Sequence, residues 1–301
     1  CGFRVALGQG KGFVMKRSLG TRDDRSRAPI LRTRRRYLLR AALPLVVVIA
    51  LFGIYKLTRA RPLPPPGKNA LIIRGQPQDV YFYPAQGAPA NAQKVLFLCG
   101  DGGWEGLSLS IAAEMAKAGN DVYGFDTKRY LESFTTGNGA LKDTDVQQDL
   151  AQVAKWMQTR WRERVTLVGQ SEGAGLAVLA AAAPDNRDVF SGVIALGISA
   201  TAELGWSLHD DITYITHADP DEPLFHTTDY LPKVAPLPFC SIQSSVDEFI
   251  TKQEADALFA AAEQPKLYEV VQAQSHSFGG NLDGFFQALR EGLAWANQNA
   301  R

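Results

Sequence analysis

One serine stands in a setting that could make it a nucleophile. Residues 165–168 read as a strand, which runs into Gly169-Gln170-Ser171-Glu172-Gly173 and then an alanine-rich helix. A G-x-S-x-G turn between a strand and a helix holds its serine in a sharp bend and presents the hydroxyl at a helix N-terminus. The pentapeptide alone could be a packing device, and it is the strand before it and the helix after it that make Ser171 a candidate for acyl transfer. Such a serine needs a base, and the base needs an orienting carboxylate, in the chain order serine, acid, histidine. The histidines are His209, His217, His226 and His276. Three lie in a polar stretch without period. His276 follows a late strand and precedes the last helix, so it is the candidate base. The acid should leave the end of the preceding strand. Residues 238–244 lead into Ser245-Val246-Asp247-Glu248-Phe249, which makes Asp247 the candidate and Glu248 the second choice. The alternative reading of Asp247 is a helix cap.

The developing negative charge on a carbonyl oxygen also needs donors, from the elbow and from the loop after an earlier strand. Residues 94–99 (KVLFLC) run into Gly100-Asp101-Gly102-Gly103-Trp104. The amides of Asp101 and Glu172 are the expected donors, with Gly102 as the alternative for the first. A glycine-rich loop can also cradle phosphates, but neither G-x-G-x-x-G nor G-K-[ST] is present. Nothing in the chain calls for a cofactor. Cys1, Cys99 and Cys240 cannot build a disulfide framework or a zinc ribbon. Cys99 and Cys240 fall inside predicted strands as small core residues. His209-Asp210-Asp211, His217 and Asp219 lack the spacing of a metal site.

Behind these side chains the chain alternates. Residues 71–74 and 80–83 read as a hairpin, and 94–99, 121–125, 165–168, 189–196, 238–244 and 267–271 as further strands. Helices are expected at 107–118, 144–160, 174–183, 251–263 and 281–297. Val146, Leu150, Val153 and Met157 share one helical face. Continuous apolar strands separated by amphipathic helices predict an α/β fold, a mostly parallel twisted sheet with helices on both faces. The polar stretch 200–236 reads as a lid-like insertion over the C-terminal edge of that sheet.

Charge divides the 301 residues in two. Residues 1–68 hold 16 Lys/Arg and 2 acids, a net +14, whereas 69–301 hold 16 Lys/Arg and 29 acids, a net −13. A basic arm on an acidic body is not the footprint of a nucleic-acid binder, whose basic stripe lies on the folded domain. Residues 37–57 carry charge only near their two ends, at Arg40 and Lys56, and are long enough to cross a hydrocarbon core as a helix. A cleaved signal is the alternative, but KLTRARP after the span offers no small-x-small site. An uncleaved anchor is therefore expected. Ten Lys/Arg from Lys16 to Arg40 face four from Lys56 to Lys68, which predicts a cytoplasmic N-terminus and an exported body. Thr33-Arg34-Arg35-Arg36-Tyr37-Leu38 also resembles a twin-arginine export signal. Met15, opening MKRSLG, is a possible start. The expected organisation is a basic cytoplasmic arm at 1–36, an anchor at 37–57, a proline-rich linker at 58–69 and the α/β body at 70–301.

The run VLFLCGDGGW, then DVYGFDTKRY, then GQSEG resembles the bacterial virulence proteins VirJ and AcvB over roughly residues 70–298. The resemblance implies an α/β-hydrolase fold, a periplasmic location and hydrolysis of aminoacyl-phosphatidylglycerol, above all the lysyl ester. It puts the triad on Ser171, Asp247 and His276, and an R-Y pair on Arg129-Tyr130. Gln170 and Glu172 stand where that family has aromatics. Lys128 and Arg129 are then expected to meet a lipid phosphate, and the carboxylates of Asp101 and Glu172 a cationic aminoacyl group. Two other readings use the same residues: a general carboxylesterase or peptidase, and a tethered interaction protein on a hydrolase scaffold.

Overall fold

A computed structural model describes residues 69–87, 92–136, 139–207 and 223–300. The arm, the apolar span and all but the last linker residue lie outside these, as do His209, His217, Asp210, Asp211 and Asp219. Among the described residues no helix is long and apolar enough to cross a membrane.

β1 (Asn69–Ile73) and β2 (Gln76–Tyr83) pair antiparallel. Arg74 and Gly75 between them both take positive φ, the two-residue turn whose twist matches a hairpin. Next come β3 (Lys94–Leu98), α1 (Leu107–Lys117), β4 (Asp121–Phe125), α2 (Thr127–Phe134), α3 (Asp143–Trp161), β5 (Val165–Gln170), α4 (Glu172–Ala181) and β6 (Phe190–Leu196). Two short strands, β7 (Thr201–Glu203) and β8 (Leu224–His226), pair as a separate ribbon. A short helix α5 (Leu231–Val234), then β9 (Phe239–Ser244), α6 (Lys252–Ala261), β10 (Lys266–Val271) and α7 (Leu282–Asn299) complete the chain.

The main sheet runs β1-β2-β4-β3-β5-β6-β9-β10. From β4 to β10 every pairing is parallel. Alternation along a strand sends successive side chains to opposite faces. In β3, Leu96 and Leu98 join Val153 of α3 and Leu176 of α4 in one core. Val95 and Phe97 join Ile111 and Met115 of α1 and Phe285 and Leu289 of α7 in the other. Two buried faces explain why these strands read as unbroken apolar runs.

Lys128 and Arg129 follow closely on the C-terminal end of β4. They open α2, whose N-cap Asp126 accepts the Arg129 N–H at 3.1 Å. Within 200–236, the described residues form the β7–β8 ribbon, a 3₁₀ turn at Thr227–Asp229 and α5. The ribbon packs on α4, where a Cβ on Gly175 would come within 2.4 Å of Ala202.

Candidate active site

The parallel order brings the ends of β3, β5, β6, β9 and β10 side by side, and the candidate residues follow those ends. Ser171, between β5 and α4, has φ 50°, a left-handed conformation a serine rarely adopts. Its N–H is held by the Leu196 carbonyl at 2.8 Å. The elbow is so tight that a Cβ on Gly169 would sit 2.2 Å from the Gly173 oxygen, and one on Gly173 2.4 Å from the Cys99 and Leu98 oxygens. Contacts that short leave glycine as the residue that fits at both positions.

His276 Nε2 lies 3.0 Å from Ser171 Oγ. His276 Nδ1 lies 2.8 Å from Asp247 Oδ2. The other oxygen of Asp247 accepts the N–H groups of Phe249 at 2.9 Å and Ile250 at 3.0 Å, so the turn after β9 fixes the carboxylate. Burial alone would raise the Asp247 carboxyl. The hydrogen bond and charge of His276, with those two amides, outweigh it and hold the group below the usual carboxylate value. Side-chain exposure is 3% for Asp247 and 12% for His276, so the pair is dry on one side and reachable on the other. Glu248 accepts the backbone N–H of His276 at 2.8 Å, tying its loop to that of the histidine without touching the ring. Phe249 meets the imidazole edge-on, with ring centroids 5.4 Å apart. Gly197, at the end of β6, leaves the ring its space, since a Cβ there would lie 2.7 Å from His276 Cε1.

The loop 100–104 lies beside the elbow. Its anchor is Trp104, whose indole occupies the space that a side chain on Gly124 would need and stacks on Tyr81 at 5.0 Å. The Gly102 N–H donates to the Asp101 carboxylate at 2.9 Å, which commits that amide and favours Asp101 over Gly102 as the donor from this loop. Glu172 is the first residue of α4, where amides have no acceptor within the helix.

Two carboxyls share this floor. Glu172 Oε1 accepts the Glu203 N–H from β7 at 2.7 Å. Its carboxyl is pushed well above the usual range by burial and by the charges of Glu203 and Asp101, with the Glu203 amide pulling the other way. Burial likewise raises Asp101, against the Gly102 N–H and the charges of His276 and Lys128. Lys128 Nζ sits 5.4 Å from the centre of the Trp206 ring. Arg129 is turned away to Asp79 of β2, an ion pair, so it is not brought to the site as expected. Tyr130 donates to Asp149 at 2.8 Å, and Asp149 also holds Arg74. The Arg129-Tyr130 pair therefore fastens α2 to the sheet and to α3. Phe249, Gly197, Ser108 and Glu203 were not foreseen from sequence. Each acts through a neighbour 27 or more residues away in the chain, which local pattern cannot reveal. Among the described residues no group of His, Cys, Asp and Glu could hold a metal ion.

Solved structures share this architecture. Est1E from Butyrivibrio proteoclasticus is 14% identical, with TM-score 0.57, over 76% of this chain and 98% of that one. The α/β hydrolase GrgF from Penicillium sp. sh18 is 11% identical, with TM-score 0.58, over 77% and 99%. Dienelactone hydrolase from Anabaena variabilis is 16% identical, with TM-score 0.54, over 78% and 98%. At these identities the likeness establishes the α/β-hydrolase fold. No curated protein matches the sequence. The model of the bacterial virulence protein VirJ family matches residues 93–291, a stretch that holds the elbow, the glycine-rich loop and both Asp247 and His276, and the chain belongs to that family.

Proposed function

We propose that this protein is a serine hydrolase that cleaves a carboxylic ester by acyl transfer. The observation that carries the reading is the unbroken line from Asp247 through His276 to Ser171, with bonds of 2.8 and 3.0 Å. Ser171 Oγ attacks the ester carbonyl while His276 Nε2 takes its proton. Asp247 keeps the imidazole proton on Nδ1 and supports the imidazolium. The tetrahedral oxyanion is met by the amides of Asp101 and Glu172. His276 returns the proton to the leaving alcohol. Water, deprotonated by the same nitrogen, then releases the acid and frees Ser171.

The substrate we propose is aminoacyl-phosphatidylglycerol, chiefly its lysyl ester, on the periplasmic face of a membrane to which residues 37–57 anchor the chain. The carboxyls of Asp101 and Glu172 lie beside the elbow where a cationic acyl group would sit, Glu172 giving up its proton when the cation arrives, and Lys128 suits the lipid phosphate. A fluorophosphonate probe tests the chemistry: wild type takes the label and Ser171→Ala does not. Equal labelling of both would end the serine-hydrolase reading and leave an interaction protein on this scaffold. Comparing lysyl and neutral aminoacyl lipids with wild type and Glu172→Gln tests the substrate, and an unchanged preference removes Glu172 from recognition.

A further inference from the structure

We propose that Ser108 and Gln170 form a tie that sets one oxyanion donor against the other, which makes both positioning residues for acyl transfer. The proposal rests on the hydrolase reading above. The two donor amides belong to distant parts of the chain, Asp101 after β3 and Glu172 after β5. The β3–β5 ladder carries them together only as far as Leu98 opposite Gly169. Beyond it the loop's anchor, Trp104, holds towards Tyr81 and β4, away from the elbow. Next to the nucleophile the loop backbone passes close enough that a Cβ on Gly100 would lie 3.3 Å from Ser171 Cβ. That is contact and not a bond.

The bond is supplied one turn later. Ser108, in the first turn of α1, donates from Oγ to Gln170 Oε1 at 2.9 Å, across 62 residues of sequence. Its hydroxyl also lies 3.5 Å from the Gly103 oxygen. A hydroxyl has one proton, so the shorter contact takes it. Ser108 is 4% exposed and Gln170 is half-buried, so the bond is partly shielded from competing water. The tie closes a ring: β3, the loop, the start of α1, Gln170, β5, and the ladder back to β3. With the ring closed, the Asp101 amide cannot drift from the Glu172 amide without stretching either a ladder or the half-buried Ser108–Gln170 hydrogen bond. Donor placement must hold to about 0.5 Å to serve a transition state.

The test uses the full chain with p-nitrophenyl acetate and a fluorophosphonate. Ser108→Ala and Gln170→Leu should each lower kcat about ten-fold, less than the ~100-fold of deleting a donor. KM should stay within about two-fold, and the rate of phosphonylation should fall in step with kcat. The double variant should fall no further than the worse single, and Ser108→Thr, which keeps the hydroxyl, should recover most of the rate. Hydrogen exchange of the 100–106 amides should quicken in both single variants. Unchanged exchange there overturns the tie whatever the enzymology. Unchanged kcat, a loss confined to KM, or losses that multiply in the double variant also overturn it. A wild type that takes no label at Ser171, with exchange quickened in the variants, leaves the tie standing and removes the hydrolase reading instead.

Discussion

Replacing Asp247 with asparagine changes a charge without changing a shape, so its effect can be worked from the hydrogen bonds. Asp247 Oδ1 accepts the Phe249 and Ile250 amides at 2.9 and 3.0 Å, and Oδ2 faces His276 Nδ1 at 2.8 Å. Both amides can only donate. An asparagine therefore keeps its carbonyl oxygen on them and turns its NH₂ towards the imidazole. An NH₂ also only donates. The ring must then bare Nδ1 and carry its proton on Nε2, 3.0 Å from Ser171 Oγ, where it cannot take the serine proton. A wrong tautomer of this kind costs about 10⁴ in kcat, or roughly 5 kcal/mol of transition-state stabilisation. KM should move little. Steady-state hydrolysis of a chromogenic ester reads the loss, and a thermal melt checks that the fold survives. Glu248→Gln is the matched control: Glu248 binds the His276 backbone and not its ring, so kcat should stay within about three-fold. An Asp247→Asn enzyme keeping more than about a tenth of wild-type kcat, or a larger loss in Glu248→Gln, would refute the tautomer argument.

Gly197→Ala places a methyl 2.7 Å from His276 Cε1 at a φ of +64°; it should displace the imidazole and lower kcat about 100-fold. The strained backbone should cost about 1 kcal/mol in a melt, and a kcat within three-fold of wild type would show the ring has slack. Glu172→Gln should stabilise the protein at neutral pH. The carboxyl is held well above its usual value, so the folded state keeps a proton that the unfolded state loses above about pH 4.3, and stability falls as pH rises from there. The gain in melting temperature should vanish near pH 4; a gain independent of pH would point to packing instead. Asp121→Asn should destabilise by about 3 kcal/mol while leaving kcat unchanged, because it strands Lys94 in a pair only 9% and 11% exposed. Denaturant unfolding measures it, and a loss under 1 kcal/mol would mean that water reaches the lysine.

The strands were legible because most are buried on both faces, as KVLFLC and the run after Phe190 show. The start of α4 was less so. Gly173 looks like the end of the turn, which suggests a helix from about 174 with Gly175 inside it, yet the helix begins at Glu172. Both glycines answer to packing, against β3 and against Ala202, and not to turn formation. α2 was missed because TKRYLESF is mostly polar, although Asp126 ahead of it is an N-cap signal. β7 and β8 have three residues each, too few to show a period. At the site, the serine, the acid and the histidine could be nominated because motif and strand ends point to them. The direction of a long side chain could not. Arg129 reaches Asp79, 50 positions back, and no local pattern separates that partner from a lipid phosphate.

The sheet order accounts for why residues 105 positions apart, Ser171 and His276, can share a proton. Five parallel strands, β3, β5, β6, β9 and β10, lie side by side, and each returning helix brings the chain back to start again at the same edge. Every strand-to-helix turn then falls at the opposite edge: the donor loop after β3, the elbow after β5, Gly197 after β6, the acid after β9 and the histidine after β10. Those turns carry the strain of the site, in the φ of Ser171 and the close approaches of Gly169 and Gly173. The Lys94–Asp121 pair opens β3 and its neighbour β4 at the far edge, where nothing of the chemistry is in reach. Stability and reactivity are thus written at opposite edges of the same sheet. A substitution that shifted both, such as an Asp121→Asn that also slowed the ester, would mean that β3 and β4 transmit displacement along their length, and the donor loop between β3 and α1 would be the first place to look for it.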